Sequence, residues 1–306
     1  MITRRKFFAA AVAYKPPGAH RPINRDRVSA ITDEIARNPA GAIDFLKSYG
    51  LRWAELREVP GRGGEYAFLP EGELRQAATE FKQNSIRVSF LDSSMLKFPL
   101  PGFERTRGET GGGMGAAMRA ERNKERFRRR MEELNRALMA AEILGVDKVR
   151  IFTFSRVAEP LTILPRVAEI LAEMAEVSGR RGIHLLVENE NSCNVSTCAE
   201  LAALMKLLPS PWVGINWDVL NGISHKETPY PDGYWLLPVG RIGNIHIKGR
   251  SVLPGPQRLD WATIFHALER DGYQGCVSLE THIFGPGQIQ ASHESMKEIL
   301  RIVEAS

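Results

Sequence analysis

The stretch "GIHLLVENENSCN", residues 182–194, runs as an apolar strand from Ile183 to Val187 and then sets Glu188, Asn189, Glu190 and Asn191 in unbroken succession. A buried strand that ends on two carboxylates delivers them to the rim of a sheet. In parallel α/β folds that rim is where sites are built.

Seven other short β-prone runs resemble it: "RVSAIT" (27–32), "RWAELREV" (52–59), "SIRVSFLDS" (85–93), "DKVRIFTF" (147–154), "VGINWDV" (213–219), "IGNIHIKG" (242–249) and "GCVSLETHI" (275–283). Between them lie stretches of helical period such as "EGELRQAATEFKQN" (71–84), "LPRVAEILAEMAEVSGRRG" (164–182) and "DWATIFHALERDGYQG" (260–275), several of which stop at Gly, as a left-handed helix cap requires. Eight strand runs alternating with helices predict a single (β/α)8 TIM barrel with a parallel eight-stranded core over residues 21–306. A doubly wound open sheet is the alternative, but its Gly-rich phosphate turn is missing.

Two connections exceed the usual few residues: 96–115 after the third strand and 222–241 after the sixth. Both follow strand ends, which predicts lids or walls over a substrate. The Gly-rich part, "GETGGGMG" (108–115), also reads as a locally disordered segment.

The chain of 306 residues is 43% hydrophobic with a net charge of +5, which suits a globular protein with a large core. Much of its basic excess sits in "RAERNKERFRRRMEELNR" (119–136), a helical run with Glu interleaved at spacings that permit ion pairs. That favours a solvated or oligomer-facing helix over a nucleic-acid footprint, since Phe127 is the run's only aromatic. A homo-oligomer stays open; no nucleic-acid or membrane partner is expected. Three cysteines, Cys193, Cys198 and Cys276, make a disulfide framework unexpected.

The N-terminus, "MITRRKFFAAAVAYKPPGAH" (1–20), puts Arg4 and Arg5 ahead of a short apolar run and small residues. It resembles a twin-arginine leader, which would make the protein periplasmic; a frayed basic end on a cytoplasmic protein is the other reading.

Alternate residues of a barrel strand face the centre. On that parity Glu188 goes with Leu186 and Glu190, Asp218 with Asn216, His246 with Asn244 and Lys248, and Glu280 with Ser278 and His282. Four consecutive strands therefore bring Glu188, Asp218, His246 and Glu280 to one rim. Three carboxylates held together lose hydration and repel unless a cation offsets them. An oxygen-rich set with one imidazole suits a single divalent metal, Mn²⁺ first, with Mg²⁺, Co²⁺ or Zn²⁺ as alternatives. Taken singly, each acid could equally be a cap or a surface ion pair.

The motifs "LLVENE", "NWDVLNG", "IHIKG" and "SLETH" resemble the sugar phosphate isomerase/epimerase superfamily, the xylose isomerase-like barrels, and the likeness runs from "RVSAITDEI" to "VSLETH". The resemblance implies metal ligands at Glu188, Asp218, His246 and Glu280, with Glu188 and Glu280 doubling as acid/base groups on opposite faces of the substrate. It implies a divalent-metal-dependent isomerase or epimerase for a carbohydrate, working through proton abstraction beside a carbonyl and an enediolate. A dehydratase or lyase acting by β-elimination at the same site is the alternative.

The family often has Asp-x-x-His after the sixth strand, where this chain has Asn221, a group that can orient a hydroxyl but not shuttle a proton. Lys248 is a candidate holder of a carboxylate, phosphate or enolate oxygen, and Glu55, Glu190 and His282 are candidate substrate contacts. Glu55 and Lys248 could instead be structural ion pairs. His184, Trp217 and Trp53 read as packing residues. A multi-metal phosphodiesterase of the endonuclease IV type would need extra His ligands where this chain has Glu55 with Arg57 and Asp92 with Ser93. A non-catalytic sugar-binding barrel would not need two opposed glutamates.

Overall fold

The structure is a computed structural model that describes residues 22–103 and 114–305. The leader expected over residues 1–20, and residues 108–113 of the Gly-rich stretch, lie outside them.

Each of the eight strand runs holds one strand: β1 Val28–Ala30, β2 Trp53–Leu56, β3 Arg87–Leu91, β4 Lys148–Ile151, β5 His184–Glu188, β6 Val213–Asp218, β7 Ile242–Lys248 and β8 Cys276–Glu280. They pair in parallel in the order β1-β8-β7-β6-β5-β4-β3-β2. The seam between β1 and β2 is joined by the parallel bridge Ile31–Glu55, so the sheet closes on itself as a TIM barrel.

The helices are α1 Thr32–Ile35, α2 Pro39–Ser48, α3 Glu71–Gln83, α4 Met114–Arg128, α5 Arg130–Leu144, α6 Pro160–Arg180, α7 Cys198–Leu207, α8 Gly249–Val252, α9 Trp261–Arg270 and α10 Gln288–Ala305. Local signals set their ends. Asn38 accepts from the Gly41 N–H with Pro39 in the first turn of α2, and Thr197 with Glu200 forms a reciprocal capping box on α7. Gly145 closes α5 at φ +71°, where a side chain would be strained.

The apolar core lies between sheet and helices. Leu185, Val187, Ile215, Trp217, Ile245, Ile247, Val277 and Leu279, the outward parity of β5 to β8, are all buried. Inside the barrel many of the buried residues are polar, among them Ser29, Ser89, Arg150, Asn216, Asn244 and Ser278. Leu186 fills part of that interior, and a Cβ on Gly214 of the neighbouring strand would come within 2.7 Å of it. A glycine is needed there for Leu186 to fit.

Two segments depart from the sequence reading. The basic run is not one helix: it breaks at Arg129 into α4 and α5. Its cations pair with local acids, as in Arg128 with Glu125 at 3.1 Å, Arg129 with Glu132 at 2.8 Å and Arg130 with Glu173 at 2.6 Å, which fits a solvated helix surface.

The connection after β6 forms only part of a wall. Asn221–His225 stays at the mouth, but Pro229–Gly233, Tyr234–Leu236 and Val239–Arg241 form 3-10 and π turns that stand where the helix between β6 and β7 would be. Tyr234 stacks at 5.7 Å on the outward ring of Trp217 and donates to Asp271 at 2.8 Å, which anchors the connection to the outer layer. Among the described residues no helix is long and apolar enough to cross a membrane.

Candidate metal centre

Glu188 and Glu280 are the last residues of β5 and β8, Asp218 is the last of β6, and His246 lies two before the end of β7. All four are buried, and one ligand atom from each lies within 4.8 Å of the others. The parity expectation is met in space.

Each of these side chains has one polar atom tied down and another turned inward. Glu188 Oε2 accepts from Arg150 Nη1 at 2.9 Å and Asn216 Nδ2 at 3.2 Å, whereas its Oε1 lies 3.7 Å from His246 Nδ1. Asp218 Oδ1 accepts the backbone N–H groups of Leu220 at 2.9 Å and Asn221 at 3.0 Å; its Oδ2 has no hydrogen bond, though Lys248 Nζ stands 3.0 Å away. Glu280 Oε1 accepts from Arg57 at 3.3 Å, and its Oε2 has no hydrogen bond and faces His246 Nδ1 at 3.7 Å. His246 Nε2 bonds Glu55 Oε1 at 2.5 Å, which leaves Nδ1 toward the cluster.

Buried carboxylate oxygens without hydrogen bonds are costly, and here the Lys248 ammonium, 3.0 Å from Asp218 Oδ2 and 3.8 Å from Glu280 Oε2, offsets part of their charge. Three oxygens and one imidazole nitrogen aimed at a common point form a donor set of the kind that holds a divalent cation. The residues fit such an ion.

The charged groups of the cluster shift one another's protonation. Burial works to raise the Glu188 carboxyl, but Arg150 and then His246 overcome it and hold the pKa at about 2. Burial dominates at Asp218 and pushes it up to about 6 despite Lys248. At Glu280 burial is outweighed by Lys248, by the nearby His282 ring and by His246, so the group is held well below the usual carboxylate range. Burial would keep the His246 ring neutral, yet Glu55 and Glu188 draw it strongly toward the imidazolium. An ion bound through Nδ1 would have to displace its proton.

The remaining predicted residues fall in different places. Glu55 is fully buried beneath the cluster, bonded to His246 and accepting from Asn244 at 3.1 Å, so it orients the imidazole. Lys248 points into the site, its ammonium 2.6 Å from Asn221 Oδ1 and 3.8 Å from Glu280 Oε2. Asn221 donates to the Asn189 carbonyl at 2.8 Å and so braces Lys248.

His282, at the left-handed φ of +48°, gives its N–H to Glu34 Oε2 at 2.8 Å and brings Nδ1 to 3.6 Å from Glu280 Oε1. Glu190 does not join the cluster: it pairs with Lys97 at 3.2 Å and accepts from the Ser192 hydroxyl at 3.1 Å, bracing its own turn. His184 is half-buried at the start of β5, its ring 4.9 Å from Trp212, and Trp53 lies under the Arg87 guanidinium at 4.1 Å at the start of β2.

Arg150 is the site residue that sequence reading missed. It shares β4's inward parity with Phe152, so the alternation in "KVRIF" carries the signal. It also pairs with Asp92 at 3.2 Å, putting a guanidinium beside the acid that stands where a multi-metal site would need a His ligand.

A family model described as the xylose isomerase-like TIM barrel matches residues 43–300, and the chain belongs to that family. No curated protein matches it by sequence. Solved structures share its fold at low identity. The 3-keto-D-glucoside 4-epimerase YcjR from E. coli, in its apo form, is 17% identical with a TM-score of 0.64, covering 90% of this chain and 99% of that one. The IolI protein with a bound zinc atom is 16% identical with a TM-score of 0.67, covering 91% and 98%. The D-allulose 3-epimerase from Methylomonas sp., in complex with D-allulose, is 15% identical with a TM-score of 0.64, covering 93% and 98%.

Proposed function

We propose that this chain is a divalent-metal-dependent isomerase or epimerase that moves a proton on a carbon beside the carbonyl of a sugar or related polyol. The observation that carries the proposal is the set of four inward atoms, Glu188 Oε1, Asp218 Oδ2, His246 Nδ1 and Glu280 Oε2, each on a side chain whose other polar atom is already bonded. A divalent ion held there, Mn²⁺ by preference for this donor set, supplies Lewis acidity to a carbonyl and a neighbouring hydroxyl.

The protein's own groups do the rest. Glu188 and Glu280 flank His246 Nδ1 at 3.7 Å each, and a glutamate carboxylate in that position takes the proton from the carbon next to the carbonyl. Lys248, held protonated by Asp218 and Glu280, offers N–H donors to the oxygen that gains charge. Asn221 fixes the Lys248 ammonium, Glu55 fixes the His246 ring, and His282 lines the rim beside Glu280. The folds shared with a keto-glucoside epimerase and a ketose epimerase support a keto-sugar as substrate. With the leader of residues 1–20 read as a twin-arginine signal, the substrate would be a free sugar or glycoside met in the periplasm.

The test is proton exchange in D₂O, followed by NMR, with Mn²⁺-loaded protein and a panel of D-allulose, D-fructose and a 3-keto-D-glucoside. Loss of the proton signal at the carbon beside the carbonyl, abolished by EDTA, is expected with at least one member. Formation of an enone would move the reaction to the elimination branch. No exchange with any carbonyl sugar would count against both.

A further inference from the structure

We propose that Phe284, on the turn after β8, is the platform of a second sugar-ring subsite beside the metal centre, so that one ring of the substrate sits at the ion while a second pyranose ring stacks on Phe284. The inference rests on the carbohydrate reading above and names the substrate class within it, a disaccharide-like keto-glycoside in place of a single ketose.

The turn places the ring. Glu280 ends β8, and its Oε1 lies 3.6 Å from His282 Nδ1; the His282 ring in turn meets the Phe284 ring edge to face, with 4.8 Å between centroids. His282 holds a left-handed φ of +48°, which a residue with a β-carbon adopts at a cost, and Phe284 comes back beside its ring instead of running on from the strand. Both ends of the turn are anchored. His282 donates its N–H to Glu34 Oε2 at 2.8 Å, the Thr281 and Ser292 hydroxyls pair at 2.7 Å, and the Gly285 carbonyl accepts the Gln288 N–H at 3.2 Å where α10 begins.

What this anchored turn presents is apolar and open, for Phe284 keeps 70% exposure. A lone exposed phenyl ring elsewhere on a surface needs no explanation. This one follows a metal-centre glutamate by four residues, on the face of the barrel where substrate enters. Leu161, Leu207 and Leu236 are exposed too, but they line one groove on the outer layer of helices.

A pyranose carries hydroxyls around its edge and C–H groups on its faces. The electron-rich face of a phenyl ring packs on those C–H groups and leaves the hydroxyls free to hydrogen-bond. Donors for them stand next to the platform. Arg37 is exposed, reaches the Gly285 carbonyl at 3.5 Å and has no carboxylate partner among the described residues, so most of its N–H groups are open to a ligand. Arg57 is not available in this way, being shared between Asp33 at 2.7 Å, Glu34 at 2.8 Å and Glu280 at 3.3 Å.

Calorimetry on Mn²⁺-loaded protein tests this by comparing 3-keto-D-glucose with 3-keto-cellobiose and 3-keto-maltose, each disaccharide oxidised on its non-reducing ring. Wild type is expected to bind at least one disaccharide about tenfold or more tighter than the monosaccharide; Phe284→Ala is expected to bring that ratio down about tenfold and Phe284→Tyr to keep it. A wild-type ratio near one, or a ratio that Phe284→Ala leaves unchanged, would overturn the subsite. If wild type binds no keto-sugar at all, the proposed function fails, and crystals soaked in methyl β-cellobioside, which has no carbonyl, still decide the platform: a pyranose ring face-on to Phe284 supports it, and a ring bound elsewhere or nowhere removes it.

Discussion

Asp218 shows how one side chain is set for ion binding. Its Oδ1 is spent on two backbone N–H groups that turn the chain after β6, and its Oδ2 is left without a hydrogen bond in a fully buried place. Burial raises its pKa to about 6, and His246 holds its proton to well above the usual range because Glu55 and Glu188 favour the imidazolium. Both groups must be deprotonated to bind an ion, so protons compete with the metal. Mn²⁺ affinity is expected to rise about tenfold per pH unit near neutrality, where His246 alone must lose a proton, and about a hundredfold per unit below about pH 6, where Asp218 must also. Calorimetry in buffers of different ionisation enthalpy counts the protons released. Affinity that is flat between pH 5 and 8 would show that these two groups are not ligands.

At this scale the four proposed ligands were legible because parity within a strand is a local rule, and "LLVENE", "NWD", "IHIK" and "SLE" each obey it. Arg150 obeys it as well, but an arginine between Val149 and Ile151 reads as a solvent-facing residue until the barrel closes round it. The structural ion pair was one of two readings left open for Glu55, and the partners of Glu55 and Glu190 were not legible. Which atom a carboxylate bonds depends on partners from distant strands, His246 for Glu55 and Lys97 for Glu190.

Elements place these residues through their ends. The turn from β5 into α7 carries Glu188 to Ser196, and it is tied by Arg156, which reaches Glu200 at 2.7 Å and the Asn194 carbonyl at 3.3 Å. The α7 N-terminus is capped twice, by the Thr197 hydroxyl on the Glu200 N–H and by Glu227 Oε1 on the Cys198 N–H at 2.7 Å. Thr197→Ala removes one of those caps. It is expected to lower unfolding stability in urea by about 1 kcal/mol and to leave Mn²⁺ affinity within about twofold, because Arg156 and Glu227 still hold the turn. A large loss of Mn²⁺ affinity at unchanged stability would mean that the cap, and not the strand end, positions Glu188.

Element boundaries were read well where the apolar period is clear, as over 71–84, which holds α3 at Glu71–Gln83. Reading was poorer across 222–241, where Pro, Gly and aromatic residues give no period. Only the outward face of Trp217, buried under Tyr234, shows that this connection replaces a helix.

For the whole molecule, the division of the barrel explains the site. Apolar residues on the outward parity of each strand bury against the helices and supply the stability, which frees the inward parity for Arg150, Asn216, Asn244, Glu55 and the four ligands. A polar barrel interior is costly unless every group has a partner. Many floor groups bond one another, though both Asp92 oxygens and Ser278 Oγ have no hydrogen bond, and Asp218 Oδ2 and Glu280 Oε2 are left facing the cluster at the mouth. Eight alternating strand and helix runs made this architecture legible from sequence, because a parallel sheet with helices on one side closes most simply as a barrel.

The most direct measurement of the central claim is the number of Mn²⁺ ions bound per chain by EDTA-stripped protein, read by equilibrium dialysis with metal analysis on wild type and on Asp218→Asn. One ion per chain in wild type, weakened at least about a hundredfold in the variant, is the expected result. No bound ion, or an ion whose affinity ignores Asp218, would contradict it.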